Sequence, residues 1–196
     1  MKHSKINWTW RALLVFVPAI VAACATVPVP VPVRQAGETV AYIVRHAEKV
    51  TTAQNDPDPA ISSDGRFRAQ MLADRLGRAG VTRIIVTDLK RTQQTAAPLA
   101  ARLGITPEII ATTVPGHSDS VAATVLHHRG ESILVVGHSV TVPAIIEALG
   151  GPKFPTICDS QYSDLFVVHI SDAGATRVEH LHYGPADALN AACALP

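Results

Sequence analysis

The chain has 196 residues, 17 Lys and Arg against 16 Asp and Glu, a formal charge of +1, and 47% hydrophobic residues. That length and apolar content suit one packed domain with a short appendage. Three of the cations, Lys2, Lys5 and Arg11, precede Cys24 in a stretch without acidic residues, so the +1 less those three leaves −2 on the remainder. No basic stripe remains there to neutralise a phosphate backbone, which argues against nucleic acid as a partner.

The basic start is followed by Ala12–Ala23, an apolar run interrupted by Pro18. A membrane-spanning helix needs about 20 consecutive apolar residues, so this run is short for a span and reads as an export signal over residues 1–23. Val21-Ala22-Ala23-Cys24 resembles a bacterial lipoprotein cleavage box. The resemblance implies cleavage before Cys24 and acylation of that residue, and several acyl chains give stable anchoring where one is marginal. The alternative is an ordinary secretory signal, with Cys24 a chance residue. Ala25, by resemblance to Gram-negative lipoproteins, favours the outer membrane, with the protein facing the periplasm. From Val27 to Val33 valine alternates with Pro28, Pro30 and Pro32, an extended polyproline-like tether. The expected layout is signal peptide 1–23, lipidated Cys24 and tether to 37, a domain over 38–185, and a tail over 186–196. In an exported domain Cys158 and Cys193 either form a disulfide or remain two thiols.

Val40–Val44 is a buried-strand run. A polar loop from Thr51 to Ala60 follows, then a helix capped by Ser62 or Ser63 and running through Arg78, with Ala69, Leu72, Leu76 and Ala79 as its apolar stripe and Gly80 as its stop. Arg83–Val86 is a second strand. The next helix covers about Leu89–Leu103, where Pro98 should kink or divide it. Thr106–Ala111 is a strand candidate, and a helix follows from about Asp119 to His128. Ser132–Val136 is a fully apolar strand, and Val140–Leu149 a helix that tolerates Pro143 in its first turn. Asp164–Ile170 and Ala175–Tyr183 read as a closing antiparallel pair. The alternation predicts an α/β three-layer sandwich with a mostly parallel central sheet flanked by helices.

Three segments follow strands, where such sheets present their chemistry. They are Arg45-His46-Ala47-Glu48, Leu89-Lys90-Arg91-Thr92-Gln93-Gln94-Thr95-Ala96 and Gly137-His138-Ser139. Two arginines and two histidines at strand ends suit the holding of a phosphoryl group and attack upon it. In order and content these segments resemble the signatures of the histidine phosphatase superfamily, the phosphoglycerate-mutase-like fold, and Ser62-Ser63-Asp64-Gly65 resembles its usual helix start.

The resemblance implies a metal-independent phosphatase with no cofactor, acting on a small phosphorylated substrate through a phosphohistidine on His46. Attack needs a neutral imidazole, which flanking cations favour by like-charge repulsion. Arg45, Arg91 and His138 would hold the phosphate and its transition-state charge. Asp119 is either the general acid or a helix cap. His117 is a weaker acid candidate, and Glu108 weaker still. Glu48 positions the loop, binds substrate or is merely solvated, and Ser139 is a further accessory candidate. Gln93 and Gln94 read as helix surface behind the site. His127 and His128 suit a helix C-terminus. His180 and His182 share a strand face at a spacing fit for a metal, but no carboxylate partner is evident in sequence and none is expected there. The alternatives to a phosphatase are a non-catalytic phosphate-binding lipoprotein, a structural envelope lipoprotein, and a phosphomutase. The mutase is disfavoured by the absence of a long lid-forming insertion, since water would reach the phosphohistidine. The natural substrate and the oligomeric state are not legible.

Overall fold

The computed structural model describes residues 30–51 and 56–187. The expected signal, Cys24, the first part of the expected tether, Cys193 and the end of the chain lie outside them. No helix among the described residues is long and apolar enough to cross a membrane. The packed unit begins at Val31, which lies against the core, while Pro32 accepts a hydrogen bond from the Tyr42 hydroxyl at 2.6 Å.

Strand β1 (Glu38–Arg45) leads into helix α1 (Ser63–Leu76), β2 (Arg83–Val86), α2 (Lys90–Leu103), β3 (Glu108–Ile109), α3 (His117–His127), β4 (Ser132–Gly137) and α4 (Thr141–Ala148). Strands β5 (Asp164–Ser171) and β6 (Thr176–His182) close the chain. The six strands form one sheet in the order β3-β2-β4-β1-β5-β6. The pairs β1–β4, β2–β4 and β2–β3 are parallel, and β5 and β6 add antiparallel strands beside β1. The expected α/β class and helix-flanked, mostly parallel sheet are therefore present.

Alternation along the strands divides the core. Val40, Tyr42, Val44, Leu134 and Leu165 face one side, where Leu72, Leu76 and Leu99 of α1 and α2 cover them. Ala41, Ile43, Val135, Phe166 and Val168 face the other, under Val121, Val125, Val142 and Ile145 of α3 and α4. Both faces being covered explains the unbroken apolar runs in β1 and β4.

Several boundaries differ from expectation. Helix α1 ends at Leu76 rather than Arg78, because Gly77 follows and the chain turns at Gly80 with φ +75°. Pro98 lies inside a single helix, α2, and does not divide it. The strand expected over Thr106–Ala111 contracts to two exposed residues at the sheet edge. Helix α3 starts two residues early, at His117, because Gly116 adopts a left-handed conformation and turns the chain into it.

Candidate active site

The three strand-end segments meet along one end of the sheet. Arg45 pairs with Gly137 across β1 and β4, and the His46 amide donates to the Gly137 carbonyl at 2.9 Å. The crossover helices change faces between these strands, which is where α/β sheets open a crevice. The His46 and His138 rings lie edge to face with centroids 5.4 Å apart.

His46 is only 4% exposed. Its Nδ1 lies 2.8 Å from the Ala47 carbonyl, which can only accept, so Nδ1 carries the proton and Nε2 the lone pair. Burial, with the positive charges of Arg45, His138 and Arg91, lowers its pKa to about 3, against the opposing pull of the Ala47 bond. Burial is the larger cause, ahead of the like-charge repulsion expected from sequence. His138 is pushed down to about 4 by burial and by Arg91, His117 and Arg45. Its Nε2 sits 3.2 Å from the Thr87 hydroxyl at the end of β2, and its Nδ1 is buried without a partner among the described residues. In the tautomer where Thr87 donates to Nε2, the Nδ1–H is left to donate to an anion.

Arg45 is 3% exposed and is held by the loop before β5. Its Nη1 donates to the carbonyls of Cys158 (2.6 Å) and Gln161 (2.9 Å), and its guanidinium carbon lies 4.3 Å from the Tyr162 ring centre. Asp159 reaches Nη2 only at 3.4 Å, from an exposed position, and adds little. Cys158 is disulfide-bonded, and Cys193, the partner expected for it, lies outside the described residues. Arg91, in the first turn of α2, has Asp58 at 3.8 Å. The Nε atoms of Arg45 and Arg91 are buried and bond to no described residue. Buried donors of this kind are costly unless an anion accepts from them.

Other expected residues have other roles. Glu48 is a positioning residue: its Oε1 accepts from Arg68 Nε at 2.9 Å, and Arg68, itself 3% exposed, also donates to the carbonyls of Tyr183 and Pro185. Asp187 lies 3.6 Å from Arg68 and accepts from the Tyr162 and Ser163 amides and the Ser163 hydroxyl. Sequence reasoning missed both Arg68 and Asp187, since their partners are remote in the chain. Gln94 accepts from the Ile61 amide, and Gln93 donates to the Thr87 and Asp88 carbonyls, so both tie α2 to neighbouring loops. The Ala47 amide donates to Thr95. Ser139 contributes its carbonyl, which accepts from the Ile157 amide.

Asp119 stands exposed in the first turn of α3, with no hydrogen bond or ion pair to the described residues. The helix-cap role is thus corrected: Gly116 holds that position, without a side-chain bond. His117 instead turns inward. It is buried, its Nδ1 lies 3.0 Å from the Ala111 carbonyl, its Nε2 has no partner among the described residues, and its charge is felt by His138. Glu108, exposed on β3, pairs with His128 at 3.6 Å. A further correction concerns His180 and His182: Asp164 brings to them the carboxylate that the sequence did not reveal.

Comparison with known proteins gives a consistent picture. The family model of the Histidine phosphatase superfamily (branch 1) matches residues 41–112. Probable phosphoglycerate mutase GpmB of Yersinia enterocolitica is 38% identical over 68 residues, 33% of this chain and 32% of that protein. The protein of the same name from Serratia proteamaculans is 34% identical over 67 residues, 32% of this chain and 31% of its own. The chain thus spans about a third of the length of these curated relatives. Among solved structures, the protein histidine phosphatase SixA complexed with tungstate shares the fold at TM-score 0.58 and 18% identity, covering 73% of this chain and 96% of that one. A mycobacterial glucosyl-3-phosphoglycerate phosphatase does so at TM-score 0.56 and 16% identity, covering 76% and 100%. The family match covers residues 41–112, under half of the chain, and the solved structures share its fold.

Proposed function

We propose that this chain is a histidine phosphatase that transfers a phosphoryl group to His46 and then to water. The observation that carries the reading is the held imidazole. His46 Nδ1–H is fixed on the Ala47 carbonyl, the ring is neutral, and Arg45, Arg91 and His138 surround it. A phosphate between these groups accepts from the two guanidinium Nε atoms and from His138 Nδ1–H. His46 Nε2 attacks phosphorus, a P–N bond forms, and the bond to the leaving group breaks. The cations stabilise the charge spread over the phosphoryl oxygens. Water then attacks the phosphohistidine, the P–N bond breaks, Nε2 recovers its lone pair and inorganic phosphate leaves.

The proton for the leaving group divides the substrate classes. An alkoxide needs an acid, and Asp119, exposed and unattached, is the weaker of the two candidates. His117 fits better, acting as an imidazolium, because its Nε2 is buried without a partner among the described residues and its charge reaches His138. A labile phosphoryl donor such as phosphohistidine or an acyl phosphate needs no such acid, and the fold shared with SixA supports that class as the natural one. The likeness to the probable phosphoglycerate mutase GpmB supports, as the alternative, a glycerate alcohol in place of water as the acceptor. The test uses the full chain and its His46→Ala variant with acetyl phosphate, phosphohistidine and p-nitrophenyl phosphate. The expected result is turnover of the labile donors, an acid-labile phosphoryl label on the protein, and a fall of roughly 10³-fold or more in the variant. Equal turnover by the variant would refute the assignment of His46. Ester turnover that survives His117→Asn but not Asp119→Asn would restore Asp119 as the acid.

The same reading places the enzyme in the cell envelope, tethered through Cys24. Its support is the lipoprotein-like Val21–Cys24 box together with the Cys158 disulfide, a bond at home in oxidising compartments. Labelled fatty acid incorporated by the native chain and lost in Cys24→Ser checks it, and equal labelling of both would sink it.

A further inference from the structure

Away from His46, one more group of side chains is arranged for a ligand. Asp164 is the first residue of β5 and pairs in register with His182 of β6, while Phe166 pairs with His180 two residues on. Residues paired in this way share a face, so Asp164, His180 and His182 project together. Asp164 Oδ1 lies 2.8 Å from His180 Nε2 and 3.5 Å from His182 Nδ1. One donor atom from each of the three lies within 4.8 Å of the others. The carboxylate is 3% exposed, and its second oxygen, Oδ2, is buried and bonds to none of the described residues. The His180 ring is stacked on Phe166, centroids 4.6 Å apart and planes 10° from parallel, which fixes where its nitrogen points.

We propose that Asp164, His180 and His182 form a binding site for a borderline divalent cation of the Zn2+ class. Two imidazoles and one carboxylate are the donor set of such ions, whereas Ca2+ and Mg2+ call for oxygen throughout. Three protein ligands with bonds of about 2.0–2.2 Å leave a fourth position for water. The cation compensates the buried carboxylate and can recruit the orphaned Oδ2, which the hydrogen bond to His180 leaves unsatisfied. On binding, the proton on His180 Nε2 leaves that atom, moving to Nδ1 of the neutral ring or to solvent from an imidazolium, and cation and proton compete for the same nitrogen.

The ion would fasten the edge strand β6 to the start of β5. Asp164 directly follows the loop whose carbonyls hold Arg45, and the Ser163 hydroxyl lies 3.3 Å from His182 Nδ1. The role is structural, and nothing in it depends on the reaction assigned to His46.

The test takes the full chain, stripped with chelator, and titrates it with Zn2+ by calorimetry and with Co2+ by visible ligand-field absorption, beside a thermal melt. The expected result is one equivalent bound at micromolar or lower concentration, cobalt bands from nitrogen and oxygen ligands, and a rise in Tm with Zn2+. His182→Ala is the decisive variant, because that side chain is 66% exposed and its loss should leave the fold intact. It should weaken binding at least about 10-fold and abolish the cobalt bands, and Asp164→Asn should do the same. His128→Ala, at the far end of α3 beside Glu131, should leave the bound equivalent unchanged. A native protein that binds no Zn2+ below millimolar concentration would overturn the proposal, as would binding undiminished in His182→Ala.

Discussion

Burying two neutral histidines at the site ties the fold's stability to pH. In the unfolded chain a histidine titrates near 6.5, while in the fold His46 is lowered to about 3 and His138 to about 4. Between pH 7.5 and 5.5 the unfolded state therefore gains most of a proton at each histidine, and the folded state gains almost none. Protonation stabilises only the unfolded state, so the stability contributed above pH 6.5 is lost as pH falls toward the folded values. Integrated over that window, the loss is about 1.4 kcal/mol for His46 and a similar amount for His138. The assay is urea unfolding of the full chain at pH 7.5, 6.5 and 5.5, extrapolated to water, beside His46→Asn. Other titrating groups contribute equally to both proteins, so the difference between their pH slopes isolates His46. The variant should lose about 1.4 kcal/mol less than the native chain across the window. Parallel curves would refute the neutral, buried state of His46 and with it the electrostatic account of the site. The acid limb of kcat/KM should likewise fall below pH 5.

Three further substitutions probe the supports of the site. Arg68→Met strips the buried partner from Glu48 and Asp187, and denaturant titration should find a loss of about 3–5 kcal/mol. Gly65→Ala would place a Cβ 2.3 Å from the Glu48 carbonyl oxygen, a backbone atom that cannot rotate away. A melt should show at least about 1–3 kcal/mol of destabilisation, and kcat/KM should fall as the loop after His46 shifts. Tyr162→Leu removes the ring 4.3 Å from the Arg45 guanidinium, and inhibition by inorganic phosphate should weaken by about 5- to 30-fold, equivalent to about 1–2 kcal/mol.

The sheet and the meeting of its strand-end segments were legible because they are local in sequence. A strand buried on both faces is a continuous apolar run, and its last residue and the next stand at the sheet's end, so Arg45, His46 and His138 could be placed without coordinates, while Arg91 follows in the first turn of α2. What escaped depends on partners far along the chain. Arg68 sits mid-helix and reads as surface, yet it binds Glu48 from the preceding loop and carbonyls beyond β6. Asp164 reads as the polar start of a strand until the β5–β6 register sets it opposite His182. The start of α3 was obscured because its cap is a glycine in a left-handed turn, which gives no side-chain signal. The Thr106–Ala111 run carries strand-like residues, but at the sheet edge only two of them pair.

The bond from the His46 amide to the Gly137 carbonyl has a consequence for how the protein fails. His46 and His138 hang from neighbouring central strands, so their separation is set by strand spacing and register rather than by a loop. Opening that spacing means parting β1 from β4, which is the rupture of the core itself. The His46 amide should exchange its hydrogen only through global opening, at the slow extreme of the molecule. As the temperature rises, the population with His46 and His138 assembled should therefore track the folded population to the melting transition, with no softened form preceding it.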